Sequence, residues 1–346
     1  MPMAVSPTNI REASREIPGP TAWEEVVAPV RPFLQTVSER LAAQADTFDP
    51  EVATFARYAL DNRGKQLRPA LVGLAGSSVG SLGDQHVNMA IIVEMIHLAT
   101  LVHDDIMDEA TIRRRRPTLA AQWGNEVAVL VGDCLFAHAL GLATQFDSID
   151  ISQRIATAAR KVCSGEILQT LRRQRWKVSR AEYLHVIELK TAELFALACE
   201  MGARLANGSP QEQVALSQYG RLLGIAYQIY DDCLDLFGTE GMAGKSLGTD
   251  LATGKLTLPL LIFLERATPA ESAELTGWLE RWDPARFSDV RSRLEACGAL
   301  AGSVAVIQEC LAEGNAQLSC IPAGPSRDAL MDLSAFLAHQ TAALGG

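Results

Sequence analysis

The residues with the plainest chemical purpose are six aspartates, set as Asp104-Asp105-x-x-Asp108 and Asp231-Asp232-x-x-Asp235. In a helix, positions four apart lie about 40° from one another around the axis, so Asp104 and Asp108 share a face, as do Asp231 and Asp235. Asp105 and Asp232 lie about 100° further round. Each cluster follows a long apolar run, which puts it at a helix C-terminus, where the dipole is already negative. Three carboxylates there repel one another, and a cation is the natural compensation. Oxygen-only ligands suit Mg²⁺, which keeps waters and bridges to substrate phosphates. A solvated acidic helix end would explain one cluster; two with the same spacing, each behind an apolar helix, favour a metal. The D-x-D-x-D-G loop of an EF-hand is missing.

Positive residues recur at matched places. Gly64-Lys65-Gln66-Leu67-Arg68-Pro69 opens a helix, whose N-terminus can itself hold an anion. Arg113 to Arg116 follow the first cluster, Lys190-Thr191 sits inside an apolar helix, and Lys245 and Lys255 flank the loop after the second cluster. Arginine binds phosphate oxygens bidentately and lysine as a point charge, so the pattern reads as a diphosphate clamp. The bland alternatives are an exposed charge run at 113–116 and a snorkelling Lys190. His97, about two turns before Asp104, reads by itself as a core histidine. Gly244-Lys245-Ser246 imitates the end of a phosphate-binding P-loop, but Thr239 stands where its first glycine belongs and no strand precedes it.

These residues need helices to carry them, and the pattern is helical almost throughout, with alanine and leucine dominant. Helices are expected over 22–45, 50–61, 68–80, 84–108, 117–146, 151–173, 179–206, 209–237 and 255–267, with three or four more to the end. No Pro/Gly linker divides them. The expectation is an all-α protein, with 1–20 a flexible tail and 21–346 one large domain. In the 346 residues, 31 Lys and Arg stand against 41 Asp and Glu, giving a net charge of −10 that disfavours nucleic acid as a partner. Seven scattered cysteines form neither a disulfide framework nor a zinc pattern and fit a reduced, cytoplasmic setting. No secretory signal is expected at the N-terminus, and the apolar stretch 89–102 is interrupted by Glu94 and His97, too short and polar to span a bilayer.

The constellation resembles the trans-isoprenyl diphosphate synthases, the polyprenyl synthetase family, and among them the long-chain octaprenyl type. Five motifs stand in order: Gly64-Lys65-x-x-Arg68-Pro69; His103-Asp104-Asp105-x-x-Asp108 with Arg113-Arg114; Lys190-Thr191; Tyr227-Gln228-x-x-Asp231-Asp232-x-x-Asp235; and the segment from Gly244-Lys245 to Asp250, Lys255 and Pro259. Arg63 and Gln66 depart from the family pattern. The resemblance implies antiparallel helices around a central cavity, commonly in a homodimer, joining isopentenyl diphosphate head-to-tail to an allylic diphosphate. It implies about three Mg²⁺ ions held by Asp104, Asp108 and Asp231, with Asp105, Asp232 and Asp235 in support. Arg113, Lys190, Thr191, Gln228, Lys245 and Lys255 would hold the allylic diphosphate. Gly64, Lys65, Arg68, His97 and Arg114 would hold isopentenyl diphosphate, which recasts His97 as a ligand contact. Asp104, Asp105, Asp108, Lys190, Asp231 and Lys245 would carry the catalysis.

Product length is expected to depend on the wall just before Asp104. Thr100 and Ala99 lie about 6–7.5 Å deeper along the helix, at about 1.5 Å per residue, and Ile96 lies a turn beyond. Short-chain relatives usually have an aromatic floor there; Ala99 cannot be one. The expectation is a long all-trans polyprenyl diphosphate of the quinone side-chain kind, with a transient membrane contact for its release. A geranylgeranyl or farnesyl product is the alternative, should another helix close the tunnel. A terpene cyclase or a head-to-head synthase would have no use for Lys65, Arg68 and Arg114, and a non-catalytic partner subunit would have no need of all six aspartates.

Overall fold

A computed structural model describes residues 23–61, 64–243 and 246–345, so the expected tail, Arg63, Gly244 and Lys245 lie outside the described residues. The all-helical class is as expected. Helices α1 (Arg31–Ala43), α2 (Pro50–Asp61), α3 (Leu67–Val79) and α4 (Asp84–Met107) lead to α5 (Asn125–Ala143) and α6 (Ile149–Leu171). Then come α7 (Arg180–Ile187), α8 (Glu193–Leu205), α9 (Pro210–Phe237), α10 (Thr249–Ala252), α11 (Leu258–Arg266), α12 (Ala299–Gln317) and α13 (Pro325–Ala342). The major seams are α4 on α5, α3 on α8, α8 on α9 and α9 on α12. Ile92, Met95 and Ile96 of α4, Phe195 of α8 and Tyr219 of α9 are inaccessible and form the centre. Leucine- and alanine-rich faces pack here because each helix removes an apolar stripe from water, at about 25 cal/mol per Å².

Several expected helices are divided, each for a local reason. The 22–45 span breaks into Trp23–Val26, a tighter turn at Ala28–Val30, and α1, because Pro29 and Pro32 cannot donate to a continuing helix and instead begin new ones. The 117–146 span is split at Gly124, whose φ of +87° no helix accommodates. Ahead of it, Ile112–Arg113 pairs with Arg116–Pro117 in a minimal hairpin. The 255–267 span begins only at Leu258, after Gly254 at φ +68°. Ser209 caps α9, its Oγ accepting the Glu212 N–H, with Glu212 reaching back to the Ser209 N–H. The 24-residue α4 matches the expected 84–108 span, and its full length corrects the reading of 89–102 as too short and polar to span a bilayer. It and α5 are long and apolar enough to cross a membrane, but 72% of the apolar window of α4 is inside the bundle, against 33% for α5.

Candidate active site

The C-terminal ends of α4 and α9 bring the two aspartate clusters to one basin, with Arg113 close enough to feel Asp105, Asp104 and Asp231 together. Lys190 faces them from a distorted segment. Between α7 and α8, Glu188–Ala192 forms a π turn, the extra-residue helical turn frequent at functional sites. Two glycines let neighbouring helices close on it. A Cβ at Gly165 would lie 2.6 Å from the Lys190 nitrogen, and one at Gly224 would lie 2.6 Å from the Ala192 Cα.

The first cluster is neutralised by protein cations. Lys190 Nζ sits 3.2 Å from Asp104 Oδ2 and donates to Glu166 Oε2 at 2.8 Å and Gln169 Oε1 at 2.9 Å. Burial, with Asp104 beside it, lifts the Glu166 carboxyl to about 7 against the pull of Lys190. Arg113 Nε donates to Asp105 Oδ1 at 2.6 Å. Asp108 is held by Arg173 Nη2 on one oxygen and Lys255 Nζ on the other, both at 2.7 Å. Burial opposes the Asp108 charge, yet Lys255, Lys190 and Arg173 outweigh it and hold the carboxyl below the ordinary range.

The second cluster divides its labour. Asp231 is half-buried and faces the basin. Asp232 is buried and accepts the Tyr183 hydroxyl at 2.6 Å and Gln228 Nε2 at 2.9 Å. Burial, then the Asp250 and Asp231 charges, push its carboxyl up. Thr191 donates to Gln228 Oε1 at 2.6 Å, so Thr191, Gln228, Asp232 and Tyr183 form one chain. Asp235 is inaccessible and caps α10, accepting the Thr249 hydroxyl at 2.8 Å and the Asp250 N–H at 3.0 Å. Asp232 and Asp235 are therefore spent on protein donors in this structure, whereas the sequence reading had them supporting the metal.

A separate basic cluster lies beside the basin. Arg114 stands so close to Gly64 that a Cβ there would meet its guanidinium at 2.5 Å. The Arg68 guanidinium lies 5.0 Å over the Phe195 ring, and exposed Lys65 lies 5.0 Å over Phe336 of α13. Burial, with Arg68, Arg114 and Arg113 nearby, drives the His97 pKa far down, so its imidazole is neutral. Glu94 is buried against the same arginines, and burial lifts its carboxyl despite them. Arg68 Nε and Glu94 Oε2 are both buried without a hydrogen-bond partner among the described residues. An orphaned guanidinium donor is costly in an ordinary core and sensible at an anion site, while Glu94 is answered by the charges of Arg68 and Arg114. Glu94, Glu166, Gln169, Arg173 and Tyr183 escaped the sequence reading. Only Glu94 left a signal, as a charge interrupting an apolar run.

The donor set fits Mg²⁺. Among the described residues no three acidic, histidine or cysteine side chains converge on one point. An ion held by one or two carboxylates and completed by water and substrate phosphate needs no such cage. The wall residues are a different matter. Ala99 and Ile96 are inaccessible, and they lie on the helix face of His103, whose ring packs against Gly132 of α5. Thr100 is half-buried and donates to the His97 carbonyl. A small cavity of about 20 Å³ lies among Tyr58, Leu98, Leu101 and Leu119, room for roughly one water.

A helical bundle with paired DDxxD ends, buried lysines and a second cationic cluster defines an isoprenyl diphosphate synthase. The chain matches the Polyprenyl synthetase family over residues 49–296, and it belongs to that family. It is 35% identical to the octaprenyl diphosphate synthase of Escherichia coli (strain K12) over 278 residues, 80% of this chain and 86% of that protein. It is 33% identical to a short chain isoprenyl diphosphate synthase of Methanothermobacter thermautotrophicus over 318 residues, 90% of this chain and 98% of that one. The fold superposes with a TM-score of 0.87 at 34% identity on a polyprenyl synthase from Caulobacter crescentus CB15 complexed with calcium and isoprenyl diphosphate, covering 93% of this chain and 98% of that one.

Proposed function

We propose that this prenyltransferase condenses isopentenyl diphosphate with an allylic diphosphate and builds a long all-trans polyprenyl diphosphate. The observation that carries the reading is two adjacent but distinct groups of cationic side chains. One has Lys190, Lys255 and Arg113 around the aspartates; the other has Lys65, Arg68, Arg114 and neutral His97. Asp104, Asp108 and Asp231, with Asp105, Asp232 and Asp235 in support, would hold Mg²⁺, which would supply charge neutralisation for the leaving diphosphate. Lys190, Lys255 and Arg113 hold its oxygens, with Thr191 and Gln228 beside them; Lys245, outside the described residues, is given the same task by the family resemblance alone. The allylic C–O bond breaks with its electrons on the diphosphate. The isopentenyl double bond, aimed by Lys65, Arg68 and Arg114, attacks the resulting cation. The departing diphosphate takes the proton released, so no protein base is required. The apolar faces around the basin keep water from the cation.

Ala99 supports the long product, since it offers no floor. The test is incubation of the purified chain with Mg²⁺, isopentenyl diphosphate and farnesyl diphosphate, followed by chromatography of the products. Extension that stops at geranylgeranyl would refute the long-chain assignment; absence of turnover by the chain alone would point to a required partner subunit. We further read the chain as a cytoplasmic homodimer that meets the membrane transiently to release product. Val129, Leu130 and Cys134 of α5, with Cys163, Ile167 and Leu171 of α6, are exposed and support a self-complementary face.

A further inference from the structure

Arg173 has no part in the scheme above, yet it is wired into the first aspartate cluster. Its Nη2 donates to Asp108 Oδ1 at 2.7 Å and its Nη1 to the Met107 carbonyl at 2.9 Å. Lys255 Nζ takes Asp108 Oδ2 at 2.7 Å. Both oxygens of one carboxylate are thus closed by protein cations. Arg173 Nε is buried and has no acceptor among the described residues. Leaving such a donor dry costs about 1–3 kcal/mol, more for a charged group, and the vacancy lies beside a site made for a polyanion.

The backbone that delivers Arg173 is fixed. Gln174 holds φ +59° and donates its N–H to the Gly254 carbonyl at 2.9 Å. Gly254, itself at φ +68°, presses so close that a Cβ there would stand 2.7 Å from Gln174 Cγ. The segment bearing Arg173 and the one bearing Lys255 are therefore clasped together, and they present both cations to Asp108.

We propose that Arg173 is a further diphosphate ligand, stored on Asp108 until a divalent cation claims that carboxylate. This rests on the synthase reading. A cation arriving at Asp108 must displace at least one of the two groups. Each has a second anchor, Lys255 in Asp250 3.4 Å away and Arg173 in the Met107 carbonyl, but of the two Arg173 also has an unused donor. Released, its fork offers paired N–H groups to diphosphate oxygens. Metal and diphosphate then bind cooperatively, and metal alone binds against competition from Arg173.

Calorimetry tests this on the full chain, titrating Mg²⁺ alone and then inorganic diphosphate in saturating Mg²⁺. Arg173→Gln should tighten Mg²⁺ several-fold and weaken diphosphate by about 10- to 100-fold, the loss of one charge-assisted hydrogen-bond pair. Arg173→Lys should fall between. Unchanged affinity for either ligand, or both affinities falling together with the unfolding temperature as for a merely structural arginine, overturns the proposal. A wild-type chain that binds both ligands with this coupling but by itself consumes no isopentenyl diphosphate would overturn the reading of a synthase that works alone and leave Arg173 as assigned.

Discussion

Lys190 shows how much of this site is charge balance at single residues. It separates Asp104 from Glu166, and its own burial is offset by those two carboxylates, which raise its pKa. Lys190→Met should therefore lose far more than one phosphate contact, with kcat/KM for the allylic substrate falling about 10²–10³-fold in steady-state kinetics. His97 gives a prediction of known sign. Its folded pKa lies well below the ordinary 6.5, so between those values the unfolded chain binds a proton that the folded chain refuses. Stability is therefore lost as pH falls below about 6.5, by up to about 1.4 kcal/mol per pH unit from this residue. Unfolding of His97→Gln across pH 5–7.5 should show a shallower acid-side decline than wild type, and an identical slope would mean that His97 is protonated in the fold.

At the scale of elements, the site depends on two local departures from regular helix. The π turn at 188–192 is gripped between α6 and α9 through Gly165 and Gly224. Gly224→Ala inserts a methyl where Ala192 already stands, which should cost about 1–3 kcal/mol. Because the strain falls on the segment carrying Lys190, activity should drop at least tenfold at temperatures where circular dichroism still reports a folded chain. The hairpin after the first cluster is turned by Arg114 and Arg115 at φ +51° and +62°, a conformation that suits glycine or asparagine. Its value is aim: Arg113 reaches Asp105, Arg114 reaches Gly64, and Arg116 stacks 4.4 Å over Tyr58. Arg115→Gly should relieve strain, raising stability by about 1 kcal/mol in denaturant titration with turnover intact.

For the molecule as a whole, the net charge of −10 no longer argues against an anionic substrate. The acidic residues that matter are matched by buried cations, and a divalent cation held by the aspartates, as proposed, would add positive charge beside them. The exposed stripe on α5 and α6 predicts self-association. Leu130→Asp with Ile167→Asp should shift the mass by light scattering from dimer to monomer, and an unchanged mass would remove this face from consideration. Product length is also a property of the whole bundle. Ala99 lacks the bulk of a floor, yet it lies closed in, on the face of α4 that meets α5. A long chain that runs past Ala99 would need the α4–α5 seam to open there. Ala99→Phe should shorten the product distribution, and an unaltered chromatogram would move the chain's path elsewhere.

The sequence by itself determined the helical class, the two carboxylate clusters and most of the cations, because these follow from periodicity and local spacing. Asp104 and Asp108 had to share a face whatever the fold did. Only the tertiary structure decided which charges meet. Asp108 pairs with Arg173 and Lys255 across separations of 65 and 147 residues, and Asp235 turns away to cap a helix. Glu166 and Glu94 acquire their roles only through burial beside particular partners. Helical spacing is set by bonds between neighbours in the chain. Desolvation and ion pairing depend on what packing brings within a few ångströms, and that is settled when the bundle closes.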